Sequence, residues 1–154
     1  MKNPILLLGI SLLTTTACGG GGGSSDGGGS SGMFTSKKVL KACHAEVKSN
    51  IKAIKTAQMI HDAENDQFVS AAQSPSMIPG QKAVDWQGNS GFNTINWMPD
   101  GKVRGAYSVT TTWTNRMSDF KIIAKMDCDG DGVVATYTAT KSLNAKPITP
   151  KGVH

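Results

Sequence analysis

The chain has 154 residues, with 16 Lys and Arg against 11 Asp and Glu and a formal net charge of +5. An excess of that size reads as a solvated lysine face and not as a nucleic-acid surface. No phosphate-loop glycine pattern and no zinc-ligand spacing occurs along it, which sets aside the commonest nucleotide and structural-metal chemistries.

The chain opens with Lys2 and an apolar core, "ILLLGISLL", at residues 5–13. A membrane-spanning helix needs about 20 apolar residues. This shorter core, with a basic start and the small residues Thr16 and Ala17 behind it, reads as a secretory signal. Those small residues stand directly before Cys18, and the arrangement resembles the lipobox of bacterial lipoproteins, with Thr15 where that family prefers leucine. The resemblance implies removal of residues 1–17 and a lipid-modified Cys18 that anchors the protein to a membrane. The alternative is ordinary cleavage after Ala17, which leaves a free thiol. Gly19 occupies the position where the family's inner-membrane retention signal has Asp, so the implied destination is the outer membrane of a Gram-negative bacterium. Residues 19–32 contain only Gly, Ser and one Asp. They offer no apolar surface against chain entropy. Residues 18–32 are therefore expected to form a disordered, lipid-anchored tether spanning roughly 20 Å.

Residues 33–154 are long enough for one domain with a single core. Residues 36–65 carry a helical period. Leu40, Cys43, Val47, Ile51, Ile54 and Ala57 recur at steps of three and four, widened by Ala53 and Ile60, while Lys41, Lys48, Lys52 and Lys55 lie mostly opposite. Thr35 or Ser36 can cap the start and Asn65 can serve as a left-handed stop. With Cys18 lipidated, Cys43 and Cys128 are the remaining pair in an oxidising compartment, which favours a disulfide.

Residues 67–93 hold Pro75, Pro79, Gly80, Gly88 and Gly91 and read as a long connection. A loop of that length in a small domain is usually functional, and residues 69–93 are expected to carry recognition. Trp86 and Phe92 are its candidate binding aromatics. Trp86, Trp97 and Trp113 together offer a patch, although at least two of them are expected in core or sheet packing.

The period then changes to two. "TINWMPDGKVRGAYSVTTTW" reads as a hairpin turning at residues 99–101, "SDFKIIAKM" as a third strand and "VVATYTATK" as a fourth. One long helix covering a four-stranded antiparallel sheet is an α+β arrangement.

The run "EVKSNIKAIKTAQMIHDAENDQF" at residues 46–68 resembles the helix end of bacterial type IV pilins and type II secretion pseudopilins. The Pro-Asp-Gly turn and "DCDGDGVVATYTAT" also look like the sheet of some of these proteins. The resemblance implies a pilin-like head and a part in pilus- or secretion-associated attachment, with a pilus, pseudopilus or surface protein as partner. The family's apolar stem does not appear: "GMFTSKKVLKACHAE" is short and polar. A monomeric pilin-like head on a lipid anchor is the resulting expectation.

Candidate chemistry is sparse. In "DCDGDG", Asp127, Asp129 and Asp131 match the first half of an EF-hand loop, a possible Ca2+ site, but its twelfth position is Thr138 and not the bidentate Glu that calcium needs. The same Asp and Gly residues also suit a strand-connecting turn. His44, His61 and His154 read as surface or capping residues, and Leu40 stands where a c-type haem would require a second cysteine. No Ser, Cys or Thr has a base and an orienting acid in view. The reading is a non-enzymatic envelope lipoprotein; the alternative is a periplasmic ligand- or calcium-binding module of the same fold.

Overall fold

The computed structural model describes residues 31–114, 117–150 and 152. The elements are α1 (Ser31–Asn65), β1 (Ala71–Ser74), α2 (Ser90–Thr94), β2 (Gly105–Thr114), β3 (Met117–Met126), β4 (Ala135–Thr140) and β5 (Lys146–Pro147). The strands form one antiparallel sheet in the order β1-β2-β3-β4-β5.

The helical period produces the expected layer. Cys43, Val47, Ile51, Ile54 and Gln58 are fully buried, at steps of four, four, three and four, and they rest on β2, β3 and β4. The sheet answers with alternate residues. Tyr107 and Val109 of β2 stand beside Ala124 and Ile122 of β3, which pair in turn with Tyr137 and Ala139 of β4. All six are buried, while Thr110, Lys121, Ile123, Thr136 and Thr138 on the opposite face are exposed or half-exposed. One face on the core and one toward water is the usual economy of an antiparallel sheet. Gly105 lies where the helix comes closest: a Cβ there would meet Val47 Cγ2 at 3.0 Å and the Tyr107 hydroxyl at 2.9 Å. The expected disulfide joins Cys43 to Cys128 across 85 residues, with Cα atoms 6.2 Å apart. It pins α1 to the turn after β3.

Four expectations are corrected. The sheet has five strands and not four. Part of the connection at residues 67–93 becomes the edge strand β1, and β5 is added near the end. The first half of the expected hairpin is no strand. Its apolar residues do alternate, since Ile95, Trp97 and Pro99 are buried while Asn96, Met98 and Asp100 are exposed, but the backbone runs through α2 and a turn at Asn96 (φ 49°). Asn89 caps α2 through its side-chain oxygen, which accepts from Phe92 N–H. Gly91 then presses on β1 so closely that a Cβ would lie 2.6 Å from Ala71 Cα. Val84 and Val103 form a separate antiparallel bridge with bonds of 2.9 and 2.8 Å.

Helix limits also move. α1 begins at Ser31, so Thr35 and Ser36 are inside it and not caps, and its first two residues fall in the expected tether. The left-handed stop is Asp66 (φ 55°), not Asn65. Asn65 instead donates from its side chain to the His61 carbonyl at 3.0 Å. Finally, Ala53 and Ile60 do not widen the buried stripe: both are exposed. The signal, Cys18 and the tether up to residue 30 lie outside the described residues, as does His154. No described helix is long and apolar enough to cross a membrane.

Candidate functional site

The acidic turn between β3 and β4 brings its three carboxylates together, with one oxygen from each of Asp127, Asp129 and Asp131 within 4.8 Å of the others. Three of these carboxylate oxygens are already engaged. Asp127 accepts from Gly130 N–H at 2.8 Å and Gly132 N–H at 3.1 Å, and Asp131 accepts from Val133 N–H at 2.7 Å. Gly130 and Gly132 take positive φ, 73° and 84°, as the tight turn requires. Gln81 braces the turn by donating to the Asp129 carbonyl. Asp129 Oδ1 is buried without a hydrogen-bond partner. Thr138, the twelfth loop position, is held in β4 between Ile123 and Lys146. The chain therefore does not wrap back as an EF-hand loop does, and the three carboxylates stand as an open half-site.

The aromatic candidates pack inward. Phe92 is fully buried and Trp86 is half-buried. Trp86 packs edge-on against Phe92 and Trp97, with centroids 5.2 and 5.1 Å apart, and tilts over Tyr107 at 6.3 Å. These rings fasten the connection of residues 67–93 to the sheet. Of the three tryptophans, Trp97 is core, and Trp113, near the end of β2, is 69% exposed.

The histidines serve local bonding. His44 Nδ1 lies 3.0 Å from the Tyr137 hydroxyl, and His61 Nδ1 lies 3.3 Å from Asn65 Nδ2. Two ion pairs tie α1 to the sheet layer, Glu46 with Arg104 at 3.1 Å and Asp62 with Lys141 at 3.5 Å. Glu46 also accepts from Arg104 N–H at 2.7 Å. Burial pushes the Tyr107 hydroxyl well above the ordinary tyrosine range; the donor Asn50 offsets this in part, and the charge of Glu46 adds to it.

The outer face of α1 is what sequence reasoning missed. An open depression of about 620 Å³ runs beside Ala53, Ala57 and Ile60, walled by Thr94, Ile95 and Asn96. A second, of about 400 Å³, lies on the other side of Ile60 beside Lys55, Met59 and Asn144. The signal was present, because the apolar stripe on α1 is wider than one sheet contact can cover.

No protein-family model matches this chain, and neither a curated protein nor a solved structure matches it.

Proposed function

We propose that the chain is a non-enzymatic envelope lipoprotein whose pilin-like α+β head docks on another envelope protein, in pilus- or secretion-associated attachment. The carrying observation is the two-sided helix. α1 buries one stripe on the sheet, is fixed there by a disulfide and two ion pairs, and turns outward a second face on which Ala53, Ala57 and Ile60 stand among Ser49, Lys52, Thr56 and Glu64. A rigid scaffold that exposes Met59 and Ile60 beside open grooves fits binding. The likeness of residues 46–68 to pilin helices supports the attachment role, and the leader supports a lipid anchor at Cys18. Two measurements test this. Cys18→Ser should release the protein from membranes, and unchanged detergent partitioning would remove the anchor from the reading. Cross-linking of the protein in native envelopes should recover a defined protein partner; recovery of none would remove docking.

A second reading, calcium binding, is favoured by the unpartnered Asp129 Oδ1 beside Asp127 and Asp131. Titration calorimetry with calcium chloride should then show heat that Asp129→Ala abolishes. A flat titration ends that reading.

A further inference from the structure

Lys52, Thr56 and Ile60 line both depressions on α1, so they form the ridge between them. Their four-residue spacing is the i, i+4 ridge on which packed helices interlock. Among the described residues of α1, the exposed large apolar groups are Ile60, 54% exposed, and Met59, 38% exposed. The floor beside the ridge is small, formed by Ala53 and Ala57, so a second backbone can approach closely. The first depression follows residues 49–64, roughly 22 Å of helix axis. A groove, a ridge and a groove, open to solvent along this length, complement another helix.

The charge is one-sided. Lys41, Lys48 and Lys55 follow one flank of this face, and Lys52 stands at the head of the ridge on the same side. Lys48 is held over the Tyr137 ring and Lys55 on the Leu143 carbonyl. Among the carboxylates of α1, Glu46 is bound to Arg104 and Asp62 to Lys141, while Glu64 lies at the far end of the first depression. The flank is therefore positive, with Lys48 and Lys55 held in place.

We propose that this face docks an amphipathic α-helix of another envelope protein, with small apolar residues along its seam and Asp or Glu beside the seam facing the lysine flank. The inference rests on the docking reading above and gives it a surface. A second copy of this chain is a poor match. Antiparallel apposition sets the lysine flank against itself, and for parallel apposition α1 offers on its other side only Glu46, which Arg104 already holds, and the single Glu64 at the far end.

The test uses the full chain carrying Cys18→Ser, so that no acyl chain contributes. The probes are a synthetic helix of about 20 residues with an Ala/Leu seam and Glu flanks, its twin with Lys flanks, and phosphatidylglycerol vesicles. The acidic helix should bind, weaken as salt rises, and lose about tenfold or more in affinity in Ile60→Glu and in Ala53→Gln. Both variants should melt as the parent does, because both positions are exposed. The Lys-flanked twin should not bind. Absence of acidic-helix binding, equal binding of the twins, or binding undiminished in both variants overturns the proposal. So does vesicle binding, or self-association, that exceeds helix binding and is lost in Ile60→Glu. Envelope cross-linking separates the two levels. If parent and variants recover the same partner equally, docking stands and this surface is wrong; if the acidic helix binds but no chain recovers a partner, the surface stands and the cellular role is wrong.

Discussion

Gln58 is a buried amide at the end of an apolar helix stripe, and its bonds explain it. Its Nε2 donates to the Val69 carbonyl at 2.7 Å, and its Oε1 accepts from Val69 N–H at 3.0 Å. It thus replaces the strand partner that the chain lacks between the end of α1 and β1. Gln58→Leu keeps the volume but strands both Val69 groups, and it should cost about 2–4 kcal/mol, read as a lower urea midpoint with an unchanged slope. Tyr107 gives a pH signature of equal locality. Its hydroxyl is buried, accepts from Asn50 Nδ2 at 2.9 Å, and has its ionisation pushed well above the ordinary range. Above pH about 10 an unfolded tyrosine releases its proton, while the folded chain keeps it. The folded state then binds more protons than the unfolded one, so stability falls as pH rises. Tyr137 is shifted in the same direction by burial. Tyr107→Phe should therefore flatten, without abolishing, the alkaline decline in urea midpoint. A decline as steep as the parent's would contradict it. Nothing in the sequence singles out these roles, because the stripe period places residue 58 on the buried side without saying what an amide does there.

At the scale of elements, legibility followed length. α1 and the strands β2, β3 and β4 each carry enough repeats for a period of 3.6 or two to stand out. The pairing of Cys43 with Cys128 was also within reach, since exclusion of Cys18 leaves only that pair. The missed elements are short and made by contact. β1 is four residues set against β2, α2 is five residues with an Asn89 cap and a glycine pressed on β1, and β5 is two residues. None has a period of its own. The alternation of Ile95, Trp97 and Pro99 imitated a strand because a turn over an aromatic cluster also buries every second residue. The α1 groove was hidden for a related reason: a stripe widened by Ala53 and Ile60 looks like a broader core until the sheet's reach is known. The disulfide is an element-level constraint that can be measured. It closes a loop of 85 residues, so Cys43→Ala with Cys128→Ala should lose about 4 kcal/mol by loop-closure entropy. Mass analysis without reductant should show the two peptides joined, and two free thiols there would exclude the bond.

For the whole molecule, the connection at residues 67–93 is built into the fold. Phe92 and Pro75 are fully buried, Ser74 pairs with Tyr107 in the sheet, and Asn89 donates to the Ala72 carbonyl at 2.8 Å. Replacing residues 69–93 by a short Gly-Ser linker should therefore abolish cooperative unfolding, and a cooperative melt in that variant would show that the fold does not need the segment. On α1, the charges decide what kind of assembly is open. A filament built on this helix would have to bury Lys37, Lys38 and Lys41, all exposed, at a shared axis, and burying unpaired ammonium groups is heavily penalised. Like copies make this worse, since each brings the same lysine row and α1 supplies few carboxylates not already bound to Arg104 or Lys141. A different partner with acidic flanks meets no such penalty. The protein freed of its leader and tether should accordingly sediment as a monomer at all accessible concentrations and form no fibres. Raising salt should not change that, because screening weakens the repulsion without removing the desolvation cost. Ordered filaments in electron micrographs, or a dimer that survives dilution, would show that the lysine row finds its counter-charge within copies of this chain.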